Sequence, residues 1–287
     1  MRNFVAITYF YGSTFAVAIG KTLLIFSYHE KEQEELLPVK INDRDFSGFN
    51  NIVVFSPHAV AEHFSEVIFT WKKSFPISYV LHEEARDRAP DMPNVHFVRE
   101  GNHISIADVD IKVTSAAGEG VSFLVESHGI SAFHAGDLNL WHWRDETPPT
   151  EIIGLEEKFY NAVASIPKQP LDICMFPVDP NIGTMFEAGA NHAIMALKPR
   201  LFLPMHFGKH GEMVKNYART MKFRGTEIYA LIQPRETIHV DFTDATIAIN
   251  KVSQGLESEK KLDSRYNLSA YVKDNPFADT DLPVDLS

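Results

Sequence analysis

Cysteine is almost missing from this chain. The single residue, Cys174, excludes an internal disulfide, and it lies in the apolar run Leu171-Asp-Ile-Cys-Met-Phe176, the setting of a small buried hydrophobe rather than a reactive thiol. Basic blocks are missing too. The formal net charge is −11, and the nearest approach to a basic run, Glu257-Ser-Glu-Lys-Lys261, is mixed in sign. A polyanion is repelled by such a chain overall, so nucleic acid is not the expected partner. Long apolar runs are also lacking. The stretch from Phe4 to Ile19 carries Thr8, Gly12, Ser13 and Thr14, and Gly20-Lys21 separates it from Thr22-Leu-Leu-Ile-Phe26. That falls short of the roughly 20 apolar residues of a membrane-spanning helix. Its β-branched and aromatic content, broken at Tyr11-Gly-Ser13 and Gly20-Lys21, predicts a meander of three short strands instead. The reading is of a cytoplasmic protein with no membrane contact, a signal peptide being the less favoured alternative. No repeat and no internal Pro/Gly/Ser-rich linker divides the 287 residues.

What is present suffices for a large core. Hydrophobic residues at 45% and charged residues at 23% are ordinary for a globular protein, and a chain of this length folds without needing a disulfide or metal as a staple. Strands are expected at 5–10, 15–19 and 23–27, followed by a polar surface loop over 30–51 and a buried strand at 52–55. A helix is expected from about 62 to 73, then strands at 77–81, 96–98, 104–106, 111–114, 121–126 and 130–134. After Trp143 the pattern alternates: helix 155–166, strand 172–178, helix 186–197, strand 201–204, helix 213–222, with closing strands at 227–231 and 237–241. A strand-rich first half before an alternating second half predicts an α/β fold of two sheets between helix layers. One domain is expected over 1–250. An acidic tail over 251–287 is expected to drape on the surface or to be partly disordered.

Three segments bring metal-type side chains to strand ends, where α/β folds collect ligands. The first is His58-Ala-Val-Ala-Glu-His63, after the buried strand. The second is Ile130-Ser-Ala-Phe-His-Ala-Gly-Asp137, where Gly136 lets the backbone pass close to whatever Asp137 contacts. The third is Leu201-Phe-Leu-Pro-Met-His-Phe207, which ends a buried strand on His206. Each has a purely structural alternative: a helix-start carboxylate at Glu62 between half-buried histidines, a strand-end turn capped by Asp137, a satisfied core histidine at 206. His134 is read as core or as supporting a ligand. Trp141, His142 and Trp143 form either an aromatic wall beside the site or a loop packed onto the sandwich. Asp179 is a candidate to orient a histidine ligand.

The order His58-x-x-x-Glu-His63, Phe133-His-Ala-Gly-Asp137, Pro204-Met-His206 resembles the metallo-β-lactamase superfamily. It is similar in particular to a bacterial group of predicted Zn-dependent hydrolases, through Gly136-Asp-Leu-Asn-Leu-Trp-His-Trp143 and Phe176-Pro-Val-Asp-Pro180. The resemblance runs from about residue 4 to 245 and implies an αββα sandwich of two mixed sheets between helix layers. The departures matter as well. The superfamily's first motif is His-x-His-x-Asp-His, but Val60 stands at the second histidine and Glu62 at the acid, and Thr114-Ser-Ala-Ala-Gly-Glu-Gly120 lacks the third-motif histidine. Of the first metal position the resemblance leaves only His58 and Asp137. For the second it leaves Glu62, His63, Asp137 and His206. It thus implies one divalent ion, zinc or else manganese or iron, or none. The implied activity is hydrolysis of a small polar ester, lactone or phosphodiester. In it Glu62 would orient the attacking water and His58, freed from a first metal, would serve as acid or base. The alternative is a non-catalytic protein of the same fold whose eroded site binds a ligand or nothing. A homodimer is compatible with either.

Overall fold

The computed structural model describes residues 3–30, 40–143 and 146–252. Two mixed sheets face each other. The first has eight strands in the order β15-β14-β1-β2-β3-β4-β5-β6, and the second has seven in the order β13-β12-β11-β10-β9-β8-β7. The first sheet opens with the expected meander, β1 (Asn3–Tyr9), β2 (Phe15–Ile19) and β3 (Thr22–Phe26), and continues in parallel through β4 (Asn51–Ser56), β5 (Ile77–His82) and β6 (Val95–Val98). The second pairs β7 (His103–Ile106), β8 (Val109–Ser115), β9 (Val121–Ser127) and β10 (Ile130–His134) antiparallel. It then runs parallel through β11 (Ile173–Pro177), β12 (Leu201–Met205) and the short β13 (Glu227–Ile228). The chain returns to the first sheet through β14 (Thr237–Phe242), paired with β1, and β15 (Ile247–Lys251), a strand the sequence did not announce.

Strands β2, β3 and β4 are buried along their whole length because both faces of the first sheet are covered. Val5, Ile7, Val17, Leu24, Val53 and Phe55 point into the space between the sheets; Ala6, Ala16, Leu23, Ile25, Ile52 and Val54 point outward. Phe26 stacks on Phe55 (4.7 Å) and on His134 (5.1 Å), and Phe55 meets Phe123 of the other sheet at 5.1 Å. Each such pair is worth about 0.5–1.5 kcal/mol beyond its buried area. At the opposite, N-terminal ends of β3 and β4 the Asp108 carboxylate clasps the sheets. It accepts from Thr22 Oγ1 (2.8 Å), Asn51 Nδ2 (2.9 Å) and Ser127 Oγ (2.6 Å) and pairs with His128 Nε2 (2.9 Å).

The second sheet packs against α-helices α1 (Pro149–Ser165), α2 (Ala188–Leu197) and α3 (Gly211–Thr220), close to expectation. The first sheet's outer layer differs. The helix expected over 62–73 is a turn followed by a 3-10 helix at Glu66–Thr70, and further 3-10 helices occupy Asp43–Phe46 and Glu83–Arg88. Two causes are visible. Ser56 Oγ donates to the His58 carbonyl (2.8 Å) and lies 3.1 Å from the His63 carbonyl, tying the turn back to β4, and Ser65 is extended. The β-branched Val67, Ile68 and Thr70 also disfavour α-helical turns. The expected surface loop over 30–51 is partly built in: Phe46 is buried, and Asp45, also buried, pairs with Arg235 at 3.1 Å. Residues 31–39 and the tail beyond residue 252 lie outside the described residues. Among the described residues no helix is long and apolar enough to cross a membrane. Cys174 is fully buried in β11, and burial pushes its thiol pKa up.

Candidate metal centre

At the C-terminal ends of the parallel strands three donors converge. His63 follows β4, Asp137 follows β10 and His206 follows β12, and one ligand atom from each lies within 4.8 Å of the others. The back side of each imidazole is fixed. His63 Nδ1 lies 2.9 Å from Ser27 Oγ, which leaves its Nε2 toward Asp137 Oδ1 at 2.7 Å. His206 Nδ1 lies 3.1 Å from Asp179 Oδ2, so its Nε2 lone pair faces the same space. A carboxylate behind a histidine ligand fixes the tautomer and raises the basicity of the ligand nitrogen. Trp141 closes one side, with its ring 5.2 Å from His206 and its Nε1 donating to the Asp137 carbonyl at 2.6 Å. The aromatic segment after Asp137 therefore serves the site through Trp141. His142 is buried, whereas Trp143 is exposed and donates to the Asn181 carbonyl.

The backbone is bent to make this arrangement. His206 has φ +62° and its N–H donates to the Gly12 carbonyl at 3.0 Å; Ser27 has φ +54°. Left-handed conformations at such residues cost about 1–3 kcal/mol each. Gly136, at φ +57°, is required sterically: a Cβ there would lie 2.5 Å from the Val121 carbonyl oxygen and 2.9 Å from Pro57 Cβ. The close approach is therefore between the Asp137 turn and the loop that carries His58. Gly189 of α2 is required in the same way, since a Cβ there would fall 2.2 Å from Asn139 Oδ1.

The electrostatics follow from the same contacts. Burial pushes the Asp137 carboxyl up, but hydrogen bonds with His58 and His63 and the charge of nearby imidazoles hold it well below the usual carboxylate range. Burial opposes protonation of His206, yet the bond to Asp179 and the charges of Asp137, Asp179 and Glu62 carry its pKa above the ordinary 6.5. Asp179 is lowered: its burial is outweighed by His206 and by the N–H groups of Asn181. His134 is different. It is fully buried and stacked on Phe26, with Nε2 2.9 Å from the Ser13 carbonyl and Nδ1 accepting from the Gly136 N–H, and burial takes its pKa down to about 3. It is a neutral core histidine beneath the site.

The remaining sequence-predicted residues stand around the three donors. Glu62 Oε2 is 3.9 Å from His206 Nε2 on a largely exposed side chain. His58 turns its Nδ1 to Asp137 Oδ2 at 3.2 Å and its Nε2 away, to Glu84 Oε2 at 3.2 Å. Val60 lies on the surface. Ser27, Glu84 and Glu119 are neighbours that no sequence motif flagged. Two imidazole nitrogens and a carboxylate with supported back sides suit a divalent ion of the zinc, manganese or iron type.

No family model matches the chain. The chain is 22% identical over 252 residues to a UPF0173 metal-dependent hydrolase of Opitutus terrae, covering 82% of this chain and 99% of that one. Among solved structures it is similar to Igni18, a metallo hydrolase of Ignicoccus hospitalis. That match has a TM-score of 0.58 and 15% identity, over 84% of this chain and all of the other. It is also similar to the metallo-β-lactamase fold protein YhfI of Bacillus subtilis, with a TM-score of 0.53 and 9% identity over 83% and 99% of the two chains. Together with the two mixed sheets and their helices, these likenesses show that the chain has the metallo-β-lactamase fold.

Proposed function

We propose that the protein is a metal-dependent hydrolase of a small polar substrate, an ester, lactone or phosphodiester, working with one ion held by His63, Asp137 and His206. The observation that carries this reading is the paired support behind the two imidazoles. Ser27 and Asp179 occupy the Nδ1 atoms, so both Nε2 atoms are left for a ligand beside Asp137. The fold and the curated relative, itself described as a metal-dependent hydrolase, point the same way. A divalent ion there supplies Lewis acidity, polarising a carbonyl or phosphoryl oxygen and bringing the pKa of water toward neutrality.

The chain's own groups then have separable tasks. Asp137, kept ionised by His58 and His63, provides the negative charge of the donor set. Glu62, on the open side 3.9 Å from His206 Nε2, orients the attacking water and accepts its proton. His58 holds Asp137 in place through Nδ1. Its other nitrogen is turned to Glu84, so the acid–base role the sequence suggested for it passes to Glu62 in this reading. We place the protein in the cytoplasm, with no nucleic acid among its substrates.

One feature supports the second, non-catalytic reading. Val60 is 39% exposed where the superfamily carries a ligand imidazole, so a two-ion centre of the familiar kind is not available. The test is metal content of the purified, unchelated protein by elemental mass spectrometry, with hydrolysis of a panel of p-nitrophenyl esters, lactones and phosphodiesters. The expected result is an ion lost in His206→Ala and hydrolysis lost in Glu62→Gln. Hydrolysis left unchanged by both substitutions would sink the enzymatic reading.

A further inference from the structure

Asp179 keeps one oxygen on His206, and what holds its other oxygen lies outside the donor set. Oδ1 accepts twice from Asn181, from the backbone N–H at 2.9 Å and from Nδ2 at 2.8 Å. The carboxylate fixes which way round the amide sits: Nδ2 must face Asp179, because an amide oxygen there would meet a second acceptor. Asn181 Oδ1 is therefore turned to His210 Nε2, 3.1 Å away, and that nitrogen carries the proton of the bond. The Asn181 carbonyl accepts from Trp143 Nε1 at 3.1 Å. Every polar group of Asn181 is thus engaged, although the residue is exposed.

These bonds tie three loops together. Asp179 and Asn181 follow β11. His210 follows β12, on the loop that carries His206, and Trp143 follows β10, on the loop that carries Asp137. The core does not hold Trp143 there, since it is 43% exposed and its indole N–H goes to a single carbonyl. Each bond is weak singly, because exposed groups can exchange it for water. Their joint effect is on rotation. With Oδ1 held by two donors, the Asp179 carboxylate has Oδ2 left for His206 Nδ1 at 3.1 Å. Without Asn181 Nδ2 the carboxylate could turn between its partners, and the His206 ring, whose far nitrogen is the ligand atom, would turn with it.

We propose that Asn181 is a positioning residue of the metal centre, acting through Asp179 on His206, with Trp143 and His210 as its two anchors. The inference rests on the reading of His63, Asp137 and His206 as metal ligands. It makes an exposed tryptophan and a half-exposed histidine, neither of them a ligand, determinants of how firmly His206 is presented. The aromatic segment after Asp137 then serves the site twice: Trp141 braces Asp137 directly, and Trp143 braces Asp179 through Asn181.

The test measures Zn²⁺ affinity of the full-length protein by competition against a chromophoric chelator. Alongside it, imidazole nitrogen-15 NMR of the metal-free protein at alkaline pH reads the tautomer of His206, whose signals are assigned by their loss in His206→Ala. Asn181→Ala is expected to weaken binding by about three- to tenfold, less than the roughly 10–100-fold of a partner bonded directly to the ligand. Because Asn181 acts through Asp179, Asp179→Asn/Asn181→Ala is expected to match Asp179→Asn to within about twofold, whereas independent roles would multiply. Trp143→Phe, which keeps a ring and removes the donor, and His210→Ala should each weaken binding by about two- to threefold, and His210→Gln, which restores a donor, should recover the wild-type value. Wild-type His206 is expected as the Nδ1–H tautomer and Asn181→Ala as a mixture of the two. Wild-type affinity in Asn181→Ala, or losses that multiply in the double variant, would overturn the proposal. A wild type that binds no zinc would overturn the metal-centre reading instead. The tautomer would then decide the positioning role by itself: a mixture in Asn181→Ala supports it, and an unchanged Nδ1–H overturns it.

Discussion

Replacing Asp179 by asparagine isolates the support behind His206. The aspartate is buried; Oδ2 holds His206 Nδ1 at 3.1 Å, and Oδ1 accepts from Asn181 N at 2.9 Å and Asn181 Nδ2 at 2.8 Å. Asparagine offers one acceptor and one donor where the carboxylate offered two acceptors. If its oxygen faces His206, its amide meets the two N–H donors of Asn181. If it turns over, its amide faces His206 Nδ1 and forces the ring proton onto Nε2, the ligand atom. Either way the ligand nitrogen is weakened. Loss of such an outer-shell partner costs about 10–100-fold in metal affinity, or about 1.4–2.7 kcal/mol. The measurement is competition against a chromophoric chelator at pH 8, with the wild type as the reference. The pH dependence carries a sign of its own. Burial opposes protonation of His206, but the bond to Asp179 carries its pKa above the ordinary 6.5, so metal affinity falls as pH drops through that raised value, and in D179N the pH at which affinity begins to fall should lie lower. D179N affinity within threefold of wild type at pH 8, with the same acid profile, would refute the role given to Asp179.

Gly136→Ala must combine a left-handed backbone with contacts of 2.5 Å to a carbonyl oxygen and 2.9 Å to Pro57. A loss of about 2–5 kcal/mol is expected by urea unfolding, and an unchanged midpoint would contradict the close approach. The Asp108–His128 clasp should show a pH window in the difference in Tm between wild type and His128→Gln. Burial raises Asp108, but its four partners outweigh that and hold it low, so its contribution is present above about its ordinary 3.8 and is lost in acid. His128 is raised, chiefly by its bond to Asp108, so its contribution is full below 6.5 and fades as pH climbs through the folded value. Both groups are partly exposed, which limits the effect to about 1 kcal/mol or less; a difference that grows toward pH 9 would reverse the argument. Cys174 should resist a thiol reagent in the folded protein and react promptly in urea; equal rates in both would contradict its burial.

The three converging donors could be read in the sequence because each follows a compact apolar strand, and those strands are the parallel ones whose ends gather at one place. Gly136 and Asp179 were legible for the same reason, as residues whose chemistry only makes sense at a strand end. What escaped is what depends on long-range approach. Ser27 meets His63 across 36 residues, and nothing around it signals a positive φ. Glu84 and Glu119 belong to different sheets and look like ordinary surface acids until Gly120 brings the β8–β9 loop onto Pro57. The helix expected over 62–73 is interrupted at Ser65, which is extended, and the turn before it is tied back to β4 by Ser56, a contact no local pattern announces. β15 was missed because it is short and none of its residues is fully buried.

Backbone strain at the site gives a test of whether the centre holds an ion. His206 and Ser27 both sit in left-handed conformations, for a combined cost of about 2–6 kcal/mol, a sizeable fraction of the stability of a typical domain. Both residues also serve the fold, since His206 N donates to the Gly12 carbonyl at 3.0 Å and Ser27 N to the Phe55 carbonyl at 2.8 Å. The same two conformations also shape the site. One turns His206 Nδ1 onto Asp179, and the other brings Ser27 Oγ behind His63, so that both Nε2 atoms face Asp137. An ion returning several kcal/mol of binding energy to the folded state would offset that strain. If the centre is occupied, removing the ion by chelation should lower the stability of the wild type, and His206→Ala should not show that loss.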